Sequence, residues 1–470
     1  MKKTRNNKMP PAVTIDELNK MDVLIKEKTI RIKNGGVFFM KKFLLVVIAL
    51  FYSQFVFSIP FANADTCDPP VQVTGKYYYT VQTAYNSVDD GNTVQITHGL
   101  FNEDILLNRN ISAILKGGYN CQYDAITGYG TVNGSLTISN GSVTIANLII
   151  KAVPAFSGYY NNGTKDIPCF WTGTTRTDLE GDIGATHSAY AYSPTVLSGG
   201  TIYTAGSYYD GTKYIPCYWA GTTRIDLAGD GTHNAEAFSI TVSGGTVYTS
   251  GYYNNGTKDI PCYWTGTTRT SLAGDITNNA YAFSIAVYNG TVYTAGFYSN
   301  NGATIIPCYW TGTTRTSLAG EITNNAYASS ITVYNGTVYT AGSYFDGTKN
   351  IPCYWTGTTR SDMAGDGTHN AAAAAIFVSG GTIYTAGFYN DGTKDIPCYW
   401  TGAVRTNLAG DGTHDAKAVT ITLSDSTIYT AGFYNDGTKK IPCYWAGTVR
   451  TNLEGDGVHN AEVISALNFD

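Results

Sequence analysis

From Ala155 onward, short runs in which apolar and polar positions alternate are cut at regular intervals by Asn-Gly, Gly-Gly and Thr-Gly. The stretch from Ala280 to Ala326 shows the order. Phe283 to Val287 is ended by Asn289-Gly290, a pair that favours a tight hairpin turn because both residues tolerate positive φ. Thr291 to Tyr298 follows, then a polar loop, then Ile306 to Trp310, ended by Thr311-Gly312. Thr314 to Leu318 closes the unit before a glycine-containing loop. A period of two places alternate side chains on opposite faces of a strand, and Val, Ile, Thr, Tyr and Trp suit such a surface. The unit predicts four short antiparallel strands.

The unit recurs. Cys-Tyr-Trp (Cys-Phe-Trp in the first copy) stands at Cys169, Cys217, Cys262, Cys308, Cys353, Cys398 and Cys443, so successive copies lie 45 to 48 residues apart. Four strands in about 45 residues is the measure of a propeller blade. Rungs of a parallel β-helix are about half that length, and helical solenoids would need an apolar period of about 3.6 residues. Seven copies predict seven blades. The first copy lacks an innermost strand, because Lys151-Ala152-Val153-Pro154-Ala155 stands where a strand and turn belong. At the other end, His459-Asn460-Ala461-Glu462-Val463-Ile464-Ser465 repeats the pattern of His233-Asn234-Ala235-Glu236-Ala237-Phe238-Ser239. The C-terminal run is therefore expected to add the first strand to a blade whose other three come from residues 155 to about 180, closing the ring.

At Cys-Tyr-Trp the repeat resembles propeller repeats of uncharacterised exported bacterial proteins. That resemblance implies an architecture and no activity. Residues 65–152 read differently. Val81 to Val88 predicts a short helix, and Asp89-Asp90-Gly91-Asn92 a turn into a strand. Ile111 to Leu115, Ser135 to Ser139 and Val143 to Ile150 predict further strands. GNTVQI, LNRNISAILKGGYN and NGSLTISNGSVTIANLII resemble the N-terminal cap and first rungs of a right-handed parallel β-helix of the pectin-lyase-like type. With so few rungs, the resemblance implies no substrate groove or catalytic carboxylate set. The expected fold class is all-β: a seven-bladed β-propeller over residues 153–470, preceded by a short parallel β-helix-like segment.

Composition agrees with this class. Charged residues make up 14%, against 52 glycines and 37 tyrosines, and the net charge is -5. A disordered chain would be charge-rich and poor in aromatics. No basic stripe offers a nucleic acid a footprint. Met40-Lys41-Lys42, the apolar run Phe43 to Phe57 and Ala62-Asn63-Ala64 form a Sec-type signal peptide over residues 40–64. Cleavage after Ala64 would leave a mature bacterial chain with no membrane span, secreted or held at the cell surface. Residues 1–39 precede that signal and are expected to be untranslated or disordered; Gly35-Gly36 is encodable by the ribosome-binding sequence GGAGGU, which favours the former. Peptides from them in the native organism would disprove this.

Nine cysteines are present, seven at one position of the repeat. Equivalent positions on neighbouring blades should exceed the ~7 Å Cα separation a disulfide allows. One thiol per blade also cannot assemble four metal ligands. The seven are expected to pack as small hydrophobes, leaving Cys67 and Cys121 to pair. His233, His369, His414 and His459 follow Gly-Thr or Gly-Val in the loop between blades, His187 follows Ala-Thr, and Asn278 and Asn324 replace them in two copies. A residue so repeated and so replaced reads as a turn or cap, not as a catalytic base.

Asp230, Asp275, Asp366, Asp411 and Asp456 follow Gly in the same loop, with Glu321 once, while Lys165, Lys213, Lys258, Lys349, Lys394 and Lys439 lie between second and third strands. In a four-stranded meander both loops emerge on one side. That face is expected to carry a ring of Asp, Lys and Asn flanked by exposed tyrosine pairs such as Tyr252-Tyr253, suited to carbohydrate or peptide. Turn chemistry and solvation explain the same residues. Each loop offers too few carboxylates for calcium, and the Ser-x-Asp-x-Gly-x-x-Trp box of sialidases is not matched.

The sequence thus predicts an exported, monomeric, non-enzymatic propeller without cofactor or metal, binding a protein or polysaccharide through its loop face. A polysaccharide lyase or glycoside hydrolase is the alternative, and a purely structural surface protein the third reading. Enzymes on symmetric propellers break the symmetry at the site. Here the departures from the repeat, such as Ala371 to Ala375, read as neutral.

Overall fold

In the computed structural model, the described residues are 67–466 apart from 104, 134–135, 152–153, 182–185, 194–195, 199–200, 273–277, 301, 303, 319–323 and 425. The signal peptide, the segment before it, Asp275 and Glu321 lie outside the described residues.

Residues 67–151 hold one helix, Val81–Ser87. Its cap is Thr80, whose Oγ1 accepts from Thr83 N at 3.1 Å. The Glu103 carboxylate accepts from the next two orphan amides, Val81 N at 2.7 Å and Gln82 N at 2.9 Å. Thr93–Thr97, Ser112–Tyr119 and Ser142–Ala146 pair parallel side by side. So do Gly99–Asn102, Gly130–Asn133 and Leu148–Lys151, and so do Ile105–Leu107 and Leu136–Ile138. An antiparallel hairpin, Val71–Val73 with Lys76–Tyr78, joins the first of these sheets and makes it mixed. The single strand expected over Val143 to Ile150 is two, broken at Asn147 with φ 50°. Val81, Tyr85, Val94, Ile96, Leu107, Leu115 and Val132 form the buried core. Cys67 and Cys121 are bonded, with Cα atoms 5.1 Å apart.

The rest of the chain folds into seven antiparallel blades. Blade 3 is typical: Ala235–Ser243, Thr246–Asn254, Asp259–Thr265 and Thr268–Ser271, each paired with the next. Blades 4, 5, 6 and 7 repeat it, beginning with Ala280–Tyr288, Ala326–Tyr334, Ala371–Ser379 and Ala416–Ser424. In blade 2 the first strand is split into Ala189–Ala191 and Val196–Ser198, both paired with Thr201–Tyr209. Blade 1 takes its first strand, Ala461–Ala466, from the C-terminus, antiparallel to Ala155–Asn161. Asp166–Thr172 and Thr175–Asp178 complete it.

The blades stack through their third strands. Cys262 and Trp264 are fully buried among Ala205, Tyr218 and Leu227 of blade 2 and Ala237 and Ile240 of blade 3. The same packing closes the ring, where Phe156, Cys169, Trp171, Ala461 and Val463 of blade 1 meet Ala431 and Leu453 of blade 7. A buried indole N–H needs an acceptor. Trp171, Trp219, Trp264, Trp400 and Trp445 each donate to a carbonyl just past the fourth strand of the preceding blade, at 2.7–2.9 Å. Gly251 shows why the second strand carries glycine opposite the register shift in the first: a Cβ there would lie 1.9 Å from Glu236 O.

Candidate functional site: loop face and channel mouth

The two loops expected on one face do meet. In blade 3 the His233 ring lies against Gly256, where an added Cβ would come within 3.0 Å of it. His187, His369, His414 and His459 lie likewise on Gly211, Gly392, Gly437 and Gly163. These glycines have φ from 91° to 97°, which a Cβ would also disfavour.

The polar residues of these loops are committed to the loops themselves. Asp230 Oδ1 accepts from Thr232 N at 2.8 Å and His233 N at 2.7 Å, and Oδ2 meets His233 Nδ1 at 2.5 Å. Asp366, Asp411 and Asp456 do the same with His369, His414 and His459. Burial works against ionisation of Asp230, Asp366 and Asp411. The hydrogen bonds from histidine and the turn amides outweigh it and hold each carboxyl well below its ordinary range. The same balance lowers Asp456 to about 2.

The lysines close the facing turn. Lys213 N donates to Asp210 Oδ1 at 2.9 Å, and its Nζ lies 3.3 Å from Oδ2. Lys349, Lys394 and Lys439 pair likewise with Asp346, Asp391 and Asp436. Lys165 N and Lys258 N donate to the side chains of Asn162 and Asn255, both at 3.0 Å.

The expected exposed tyrosine pairs are not exposed. Adjacent residues of a strand point to opposite faces, so each pair divides. Tyr253 lies beneath the Arg269 guanidinium at 3.6 Å, and six other Arg–Tyr pairs repeat this stacking. Tyr252 is buried and donates to Glu236 Oε1 at 2.8 Å.

Two features that the sequence reading missed dominate this face. The first is a bolt at every joint. An amide at the start of each third strand, the first residue's in six blades and the second's in blade 4, donates to a side-chain oxygen on the following blade, as Asp259 N does to Asn279 Oδ1 at 2.9 Å. Ser188, Asn234, Asn325, Asn370, Asp415 and Asn460 serve the other six joints at 2.8–3.0 Å. The second feature lies beside the bolt, where the blades stop being alike. The residue after the opening alanine of each first strand faces the start of the preceding blade's third strand, and the two types change together. Tyr190 donates to Asp166 at 2.8 Å, and Tyr281 to Asp259. Lys417 pairs with Asp395 at 3.1 Å, and Glu462 with Lys440 at 2.6 Å. At these four joints the departures from the repeat are matched across the joint.

The first strands surround a central cavity of about 260 Å³, and the lining residue nearest the loop face in each blade is Ile464, Tyr192, Phe238, Phe283, Ser329, Ala374 or Val419. Nine rings run in contact along one arc, with successive centroids 5.0–6.1 Å apart: Tyr159, Tyr190, Tyr192, Phe238, Tyr252, Tyr281, Phe283, Phe297 and Tyr327. Beyond that arc the equivalent positions hold Ser329 and Ser343 in blade 5, Ala374 and Phe388 in blade 6, and Val419 and Phe433 in blade 7, with Lys417 over the Phe388 ring and Lys440 over Phe433. Glu236 sits within the aromatic arc. Burial raises its pKa, against the hydrogen bond from Tyr252. Among the described residues no group of acids, histidines and cysteines is placed to hold a metal.

No family model matches the chain, and no curated protein matches it. Among solved structures it is similar to TolB from Acinetobacter baumannii, at 9% identity and TM-score 0.41 over 67% of each chain. It is similar also to the β-propeller domain of the trilobed protease from Pyrococcus furiosus, at 9% identity and TM-score 0.39 over 62% of this chain and 87% of that one. The Aleuria aurantia lectin matches at 13% identity and TM-score 0.32 over 53% of this chain and 90% of that one. The fold stands on the strand pairings above. Likeness at this level assigns no activity.

Proposed function

We propose that the chain is an exported, non-enzymatic β-propeller that binds a protein or polysaccharide through its loop face. We propose also that residues 67–151 form a short right-handed parallel β-helix in front of it. One observation carries the binding reading: the loop face is symmetric where its polar groups are tied into turns and asymmetric at the channel mouth. Turns that make the same hydrogen bonds blade after blade offer a partner no unique feature. The aromatic arc, built from blades 1 to 5, offers one, and aromatic side chains with a few placed polar groups suit recognition. The Asp–His pairs support the non-enzymatic part, since four blades hold them with the same partners and none is singled out as a base.

The secreted chain applied to glycan and protein arrays tests this. Specific binding that weakens at least tenfold in Phe238→Ala is the expected result. Specific binding carried by residues 67–151 alone would contradict the loop-face reading. Turnover of a polysaccharide, abolished in Glu236→Gln, would contradict the non-enzymatic one.

A further inference from the structure

Blade 4 departs from the repeat at three places that come together in space. Its loop between second and third strands is one residue longer than that of blade 3, running from Ser299 to Thr304 against Asn254 to Lys258, and it lacks the lysine. Asn278 stands where blade 3 has His233, so no imidazole covers Gly302 as His233 covers Gly256. Ile305 stands where blade 3 has Asp259, and the residue at the facing position of blade 5 is Tyr327, so this joint has no carboxylate to pair with the tyrosine as Asp259 does with Tyr281.

The result is a recess of about 440 Å³ on the loop face. That falls within the range of about 300–1,000 Å³ typical of small-ligand sites. Its lining includes the rings of Tyr281 and Phe297, the amides of Asn278, Asn279 and Asn325, and the Ser299 hydroxyl. The two rings lie 5.1 Å apart at 45°, and the Tyr281 hydroxyl is held by Asp259. The bolts orient two of the amides: Asn279 Oδ1 accepts from Asp259 N and Asn325 Oδ1 from Ile305 N, both at 2.9 Å.

We propose that this recess binds a neutral saccharide unit, its C–H face on Phe297 and Tyr281 and its hydroxyls on the asparagine amides and Ser299. The proposal rests on the loop-face reading and narrows it to one ligand class and one joint. Among the described residues the lining carries no acidic or basic side chain, so there an anion would lack the cationic partner it needs and a cation its carboxylate. Amides and hydroxyls both donate and accept, as sugar hydroxyls do. A peptide fits less well, because the second and third strands of blade 4 are paired on both sides and leave no edge for strand addition.

Two substitutions taken from the repeat itself test the site with little risk to folding. Asn278→His restores the ring that covers this place in other blades. Phe297→Ser installs the residue found as Ser207 and Ser343 in blades 2 and 5. The purified chain is titrated calorimetrically with maltotetraose, cellotetraose and mannotetraose, and with tetragalacturonate and a neutral tetrapeptide for comparison. At least one neutral tetrasaccharide is expected to bind with affinity unchanged from about pH 5 to 8, since no histidine is among the described lining residues. Each substitution should weaken that binding at least tenfold while the melting temperature stays put. Preference for tetragalacturonate or the peptide, or no neutral sugar bound, would overturn the proposal. An array ligand indifferent to both substitutions would overturn this site and leave the loop-face reading intact. Cleavage of a tetrasaccharide that still requires this recess would overturn the non-enzymatic reading and leave the site standing.

Discussion

At Asp230 a single carboxylate closes a turn, orients His233 and, through that ring, covers the glycine of the facing loop. Because its folded pKa lies below the ordinary Asp value of 3.8, the stability it contributes is present above that value and lost as pH falls through the folded one. Asp366 and Asp411 behave alike, and for Asp456 the loss runs from about 4 down to about 2. Melting temperature should therefore drop steeply below about pH 4. The triple variant Asp230→Asn, Asp366→Asn, Asp411→Asn keeps the turns, since Asn162 and Asn255 close theirs, and should flatten that drop. A triple variant with the acid sensitivity of the parent would contradict this account. The turn role of the histidines was legible because Asn replaces them in the repeat. The fate of Tyr252 was not: a tyrosine pair at a strand end looks exposed until the next blade is set against it.

Strands and their joints form the next scale. The third strand was the most legible element, since Cys262 and Trp264 alternate with Pro261 and Tyr263 and so share one face. All seven repeat thiols are buried, and burial pushes each one's pKa up. Alkylation should label none of them in the native chain and seven after denaturation without reductant. Ready native labelling would contradict the packing. Strand ends were less legible. Ala280–Tyr288 extends beyond the expected Phe283 to Val287 because Ala280 and Tyr281 continue the ladder beside the loops. The joint pairs were illegible for a further reason: each couples a first strand to the preceding blade's third strand, so Lys417 or Glu462 read alone looks like drift until Asp395 or Lys440 is set against it. Lys440→Glu would set two carboxylates together at the closing joint. It should cost about 1.5–3 kcal/mol, the worth of a charge-assisted hydrogen bond. The exchange Lys440→Glu, Glu462→Lys should recover most of that. A double variant as unstable as the single one would show that the pair is incidental.

For the whole molecule, near-identical blades pose an assembly problem, because any blade could stack on any other or on a second chain. Joint-specific pairs favour one neighbour order. The ring then closes where Ala461–Ala466 joins Ala155–Asn161 and Glu462 meets Lys440. That closure was legible because the repeat is so regular that a missing piece at one end could be matched to a surplus at the other. Deleting residues 459–470 tests it most directly. The deletion unpairs a ladder and bares the faces of blades 1 and 7, and should cost several kcal/mol. Calorimetry with size-exclusion chromatography is expected to show a sharply lower melting temperature and oligomers formed through the opened edge. A truncated chain that melts with the parent and stays monomeric would contradict the closed seven-bladed ring.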